Sequence, residues 1–167
     1  ALQSAWVLYT VAVQERAWSI GKVITLETER VDPRDLLRGD YLILNYKISN
    51  VPTNLFLPQV SMGLPAYTKV YVALEPHGEF FAVVNASTNR FEPSPSQVLL
   101  QACSTWLTTN AVHVEYGLER YFVREGTGNP RGKLTVQAVV PASGRASIKQ
   151  VFLDGKPYAE AVKATAP

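Results

Sequence analysis

The stretch VDPRDLLRGDYLILNYKIS, residues 31–49, changes abruptly from charged to apolar. Five charged residues lie between Asp32 and Asp40, and an alternating apolar run follows them. Pro33 fixes its own φ angle and biases Asp32 away from helix, so the charged part predicts a shaped loop. The alternation over residues 40–48 predicts a strand.

Alternation along this strand separates two faces. One face is wholly apolar and is predicted to lie in the core, whereas the other becomes polar along the strand. The apolar face carries Leu42, Leu44, Tyr46 and Ile48, and the opposite face carries Tyr41, Ile43, Asn45 and Lys47. The strand is therefore predicted to emerge from the core on one side.

Short β-type runs recur along the rest of the chain, separated by turn residues. EPHG at residues 75–78 and PASGR at residues 141–145 have the composition of hairpin turns. With about eight such strands and few convincing helices, the sequence predicts a mainly β fold, a single-domain barrel or sandwich spanning residues 20–158. Residues 159–167 have little to bury and are predicted to form a flexible C-terminal tail.

The first fourteen residues, ALQSAWVLYTVAVQ, carry no charge. They are fewer than the ~20 that cross a bilayer, and their large apolar residues fall at helical spacing. Residues 1–16 are therefore expected to form either a terminal helix on the core or the remaining end of a membrane anchor or signal sequence. Composition alone does not choose between these.

Composition also argues against several kinds of partner and cofactor. Sixteen basic and fourteen acidic residues are scattered without a basic run, so no nucleic-acid partner is predicted. The single cysteine, Cys103, has no partner for a disulfide and is read as a small core residue. Two histidines in all, His77 and His113, exclude a histidine-rich metal site. Carboxylate-bound ions stay open, but no calcium-loop spacing is present, so no metal site and no cofactor are assigned.

No complete catalytic motif is present. SMGLP at residues 61–65 is similar to the Ser-Met-x-Pro nucleophile motif of signal peptidases, but its proline lies one residue late. The acidic residues of two regions could supply acid/base chemistry if they met, or could cap turns and pair with neighbouring arginines, which is favoured. They are Asp32, Asp35 and Asp40, and Glu115, Glu119 and Glu125. No catalytic residue is assigned.

GDYLILNY at residues 39–46 fits the string Gly-Asp-Tyr-x-x-Leu-x-Tyr at every position. The chain here resembles the bacterial GDYXXLXY family, and YGLERYFVREGTG at residues 116–128 is similar to the second block of that family. Arg124 departs from the pattern, because proline is common there. The matching positions, read first as fold determinants, are Asp32, Pro33, Arg34, Gly39, Asp40, Tyr41, Leu44 and Tyr46, then Tyr116, Gly117, Glu119, Tyr121, Phe122, Glu125 and Gly126.

The resemblance implies a membrane-anchored protein with its domain outside the cytoplasm, on the periplasmic or lumenal side. It favours the anchor reading of residues 1–16, and it brings no established activity or cofactor. We therefore expect a noncatalytic accessory or protein-interaction domain that binds a membrane or envelope protein. The alternative is a hydrolase or small-ligand-binding domain on a signal-peptidase-like β scaffold, with Asp32, Asp40, Glu119 or Glu125 in a cleft between the two blocks.

Overall fold

A computed structural model describes residues 21–29, 37–38, 41–60, 64–108, 110–124 and 131–163. The predicted helix at residues 1–16 lies outside the described residues. Within those ranges the chain forms twelve strands and one short α-helix. These are β1 Lys22–Glu27, β2 Leu37–Arg38, β3 Tyr41–Ile43, β4 Asn50–Pro52, β5 Lys69–His77, β6 Phe80–Ser87, β7 Val98–Leu107, β8 Ala111–Glu115, β9 Arg120–Phe122, β10 Leu134–Val140, β11 Ser147–Leu153, β12 Lys156–Pro157 and α1 Tyr158–Lys163.

The described strands form three sheets, in the orders β4-β8-β7-β5-β6, β1-β10-β11-β12 and β2-β3-β9. The five-stranded sheet is nearly closed. The chain leaves β4 at one edge and reaches β6 at the other, where Phe56 forms a parallel bridge with Ala86 and the Leu57 N–H donates to the Ala86 carbonyl at 2.8 Å. The mainly β prediction is confirmed, and this sheet is barrel-like because closure leaves few free edges.

Both predicted hairpins are confirmed. Gly78, with a φ of +66°, lies in the turn between β5 and β6. Gly144, with a φ of +82°, lies between β10 and β11, where an added Cβ would come within 3.0 Å of the Leu99 carbonyl oxygen. This turn therefore requires glycine at position 144 for two reasons, its positive φ and its close approach to β7.

The strand predicted at residues 40–48 is shorter than expected. It ends as β3 at Ile43, and Lys47–Ser49 form a 3-10 turn instead. Its alternation is nevertheless confirmed, because Leu42, Leu44, Tyr46 and Ile48 are at most 5% exposed. The apolar face thus enters the core although regular pairing stops after three residues.

One smaller expectation is wrong, and a second concerns residues of which the structure describes only a part. Cys103, expected in the core, lies half-buried on β7, between Ala102 and Ser104, which point into the core. The predicted C-terminal tail begins within helix α1, whose first residue, Tyr158, is only 3% exposed and meets the Tyr121 ring edge-on at 6.1 Å. Aromatic packing therefore holds this segment against the sheets; residues 164–167 lie outside the described residues.

Two buried hydroxyls link the regions that resemble the family. Tyr46 donates to the Leu118 carbonyl at 2.6 Å, and Tyr116 donates to the Ile48 carbonyl at 2.7 Å. Burial raises the pKa of both phenols far above the usual value. Each region therefore satisfies a carbonyl of the other, and both tyrosines stay protonated donors.

We expect Tyr46→Phe and Tyr116→Phe each to lower the free energy of unfolding by about 1–3 kcal/mol, because each leaves a buried carbonyl without its donor. Urea unfolding followed by circular dichroism measures this. Tyr67→Phe is the matched control, since Tyr67 is 85% exposed and its change should stay within about 0.5 kcal/mol. Variants as stable as the control would contradict the role assigned to the two hydroxyls.

Candidate functional site

The two blocks that resemble the family meet in space. β3 pairs antiparallel with β9, which places Tyr41 opposite Phe122 and Ile43 opposite Arg120. Just beyond this ladder, the Leu44 N–H donates to the Glu119 carbonyl at 2.8 Å. Residues about eighty positions apart in the sequence therefore form one small sheet.

An open cleft of about 240 Å³ lies beside this sheet. The face of residues 41–45 that points away from the core supplies part of one wall, as the alternation predicts. The cleft is lined by Tyr41, Ile43, Asn45, Ser49, Trp106, His113, Glu115, Glu119 and Arg120. Residues 41–45 therefore pack into the core on one face and line the cleft with the other.

Trp106 and His113 form a stacked pair in this cleft. Their rings are parallel within 5°, with centroids 3.8 Å apart. Trp106 is nevertheless 56% exposed. A β-bulge explains this, because Ser104 pairs with Val114 and Trp106 with His113, which leaves Thr105 without a partner residue.

Hydrogen bonds hold the His113 ring in place. Its Nδ1 lies 2.9 Å from Asn50 Oδ1, and Asn50 Nδ2 donates to Glu29 Oε1 at 3.4 Å. Since Oδ1 is the acceptor, Nδ1 carries the proton and Nε2 of the neutral ring is an acceptor. Burial lowers the pKa of His113, although Glu115 and Glu29 act in the opposite direction.

Glu119 ties a turn rather than projecting freely. Its carboxylate accepts the Tyr116 N–H at 2.6 Å, across a turn in which Gly117 has a φ of +80°. Burial raises the pKa of Glu119, and hydrogen bonds from the backbone N–H groups of Tyr116, Gly117 and Glu119 itself partly offset this. Among the described acidic residues, Glu119 thus follows the capping interpretation favoured from sequence.

An exposed aromatic edge adjoins the cleft. Phe122 is 76% exposed and lies 6.1 Å from the Tyr41 ring, centroid to centroid. On the same sheet, the Arg120 guanidinium lies 5.6 Å from the centre of the Tyr41 ring, within cation–π range.

The structure divides the family positions into three groups. Leu44, Tyr46 and Tyr116 are buried, Gly117 and Tyr121 shape and support the second block, and Tyr41, Glu119 and Phe122 lie at or beside the cleft. The remaining predicted positions, Asp32, Pro33, Arg34, Gly39, Asp40, Glu125 and Gly126, lie outside the described residues.

Sequence reasoning missed Trp106, His113 and Asn50 as parts of one site. Nothing in VLLQACSTWL, residues 98–107, shows that a bulge turns its tryptophan outward. Over the residues that the structure describes, no three His, Cys, Asp or Glu side chains are grouped to hold a metal ion. In the same residues, no helix has the length and apolar character to cross a membrane.

These features define a mainly β domain with an open, aromatic-sided cleft beside the small sheet that the two sequence blocks form. The model of a protein family described as GDYXXLXY protein matches residues 3–151. The chain belongs to the GDYXXLXY family. No curated protein and no solved structure matches it.

The raised pKa of Glu119 predicts a pH dependence. Its contribution to the free energy of unfolding is complete below the unfolded pKa, about 4.3, and is lost as pH rises through the higher folded pKa. We therefore expect Glu119→Gln to gain stability relative to the wild type as pH rises over this range. Urea midpoints between about pH 3 and pH 8 measure the slope.

Glu27→Gln is the matched comparison with the opposite sign. Lys133 and Lys47, each 2.9 Å away, lower the pKa of Glu27, so its contribution is present at neutral pH and lost as pH falls. We expect a loss below about 1 kcal/mol at neutral pH, because both lysines are solvated, and no difference in acid. Parallel pH profiles for the two variants would contradict the environment assigned to Glu119.

Proposed function

We propose that this chain is a noncatalytic accessory domain, held at a membrane on its extracytoplasmic side, that binds a membrane or envelope protein through the exposed edge of β9. The observation that carries this proposal is Phe122, a large apolar side chain left 76% exposed on a short edge strand. Exposed aromatic side chains at a sheet edge are typical of protein contacts.

The surroundings of Phe122 support a contact surface. Tyr41 and Arg120 lie on the same small sheet, and Tyr, Arg and aromatic residues in general are enriched at interfaces. In the described part of the chain, β9 is an outer strand of its sheet and has β3 as its one neighbour. A partner could therefore cover Phe122 and pair with the free edge of β9 at once.

The floor of the cleft favours binding over catalysis. His113 is held by Asn50 and by the Trp106 ring, and the Glu119 carboxylate is held by backbone N–H groups. Hydrolysis by Glu119 is the weaker alternative, because Oε1 of Glu119 closes the turn at Tyr116 and hydrolysis of this kind needs a second carboxyl group in a complementary role. Asp32, Asp40 and Glu125, the other acids of that alternative, lie outside the described residues.

Membrane attachment is supported by the sequence, and extracytoplasmic placement is supported by the family resemblance alone. The first fourteen residues are uncharged and largely apolar. The family resemblance points the same way, and neither argument uses the geometry of the β domain.

The test is capture of the partner from gently solubilised membranes after brief cross-linking, with the natural full-length protein as bait. We expect a stoichiometric membrane or envelope protein to copurify with the wild type, and about tenfold less of it with Phe122→Ala. Leu57→Ala is the control, because Leu57 is 61% exposed and does not line the cleft; it should retain the partner.

Thermal unfolding of both variants checks that the fold is intact. Recovery of the bait alone, or equal capture by folded Phe122→Ala, would contradict the proposal.

A further inference from the structure

We propose that the cleft binds one ring of a neutral carbohydrate, stacked on the indole of Trp106. This inference goes beyond the proposed protein partner and rests on a different side chain. It follows from the exposure of Trp106, from the stacking contact that fixes its ring and from the polar side chains of the cleft.

Trp106 is exposed because the strand departs from regular alternation. Ser104 is 1% exposed, so a regular β7 would turn the side chain two residues later into the core as well. The extra residue, Thr105, shifts the register, and its hydroxyl donates to the His113 carbonyl at 3.2 Å. Bulges that redirect a side chain are common beside functional sites. Here the bulge leaves Trp106, the largest type of apolar side chain, exposed instead of buried.

The indole is also fixed in orientation. His113 covers one face at 3.8 Å, and His113 is itself held by Asn50. More than half of Trp106 is exposed and Trp106 lines the cleft, so we place the ligand on the face turned away from His113. A platform that is already ordered loses little side-chain entropy on binding.

The lining of the cleft matches the chemistry of a sugar ring. Such a ring presents C–H groups on its faces and hydroxyls, which both donate and accept, around its rim. The Trp106 ring offers an aromatic plane for the C–H groups, and the polar side chains of the cleft offer donors and acceptors for the hydroxyls. The polar groups are Asn45, Ser49, Glu115 and Arg120. Its volume of about 240 Å³ lies just below the range of about 300–1,000 Å³ for drug-sized sites, which suits a single ring.

Charge favours a neutral sugar. Glu115 is exposed at the cleft and would repel an anionic sugar, while the Arg120 guanidinium, which lies over the Tyr41 ring, would repel a cation. The Glu119 carboxylate keeps its negative charge while it accepts the Tyr116 N–H, so an anionic sugar would meet two carboxylates, whereas a cation would meet the Arg120 guanidinium. A lysine or arginine side chain on Trp106 is thus the less favoured occupant.

The experiment titrates the complete chain with cellotriose, maltotriose and tri-N-acetylchitotriose, followed by saturation-transfer NMR and by shifts of its amide signals. We expect saturable binding of at least one of these. Trp106→Ala should weaken it about tenfold or more, a loss of about 1.4 kcal/mol. Trp106→Phe, which keeps an aromatic plane, should weaken it less. Tyr67→Ala, a change at an aromatic residue that is 85% exposed and does not line the cleft, should leave it unchanged.

Three results would overturn the proposal. They are no binding of any of the three sugars, equal binding by folded Trp106→Ala, and tighter binding of tri-lysine or of trigalacturonate than of the neutral sugars. Phe122→Ala should not change sugar affinity, and Trp106→Ala should not change capture of the protein partner. The two proposals can therefore fail separately.

Discussion

The structure of this domain depends on two buried hydrogen bonds, donated by tyrosine hydroxyls, that join residues 46–48 to residues 116–118. Tyr46 and Tyr116 each donate to a carbonyl of the other block, at Leu118 and Ile48. Both carbonyls lie where regular strand pairing has stopped, so no ladder would satisfy them. Irregular backbone can be buried here only because side chains supply the missing donors.

The same junction positions the cleft. With Tyr46 and Leu44 anchored in the core, the alternate residues Tyr41 and Ile43 must point outward beside β9. Glu119 then closes the turn that delivers β9 to β3. The family positions therefore act first on the fold, and through the fold on the shape of the cleft wall.

Two exposed aromatic side chains avoid the core for different physical reasons. Phe122 alternates outward on a three-residue edge strand, whereas Trp106 is turned outward by the bulge at Thr105 and held there by His113. They lie on different sheets and offer different chemistry. Among the described strands, Phe122 lies on an outer strand of its sheet, whereas Trp106 lines the cleft together with polar side chains.

The sequence by itself determined the β class, both hairpins and the inward face of residues 42–48, because alternation and turn chemistry act between near neighbours. Tertiary structure decided where β3 ends, that the two blocks pair, and that Trp106 stacks on His113 outside the core. It also decided that Tyr158 begins a helix. These outcomes depend on residues far away along the chain. The outward position of Trp106 depends in addition on a β-bulge, which has no recognisable local sequence pattern.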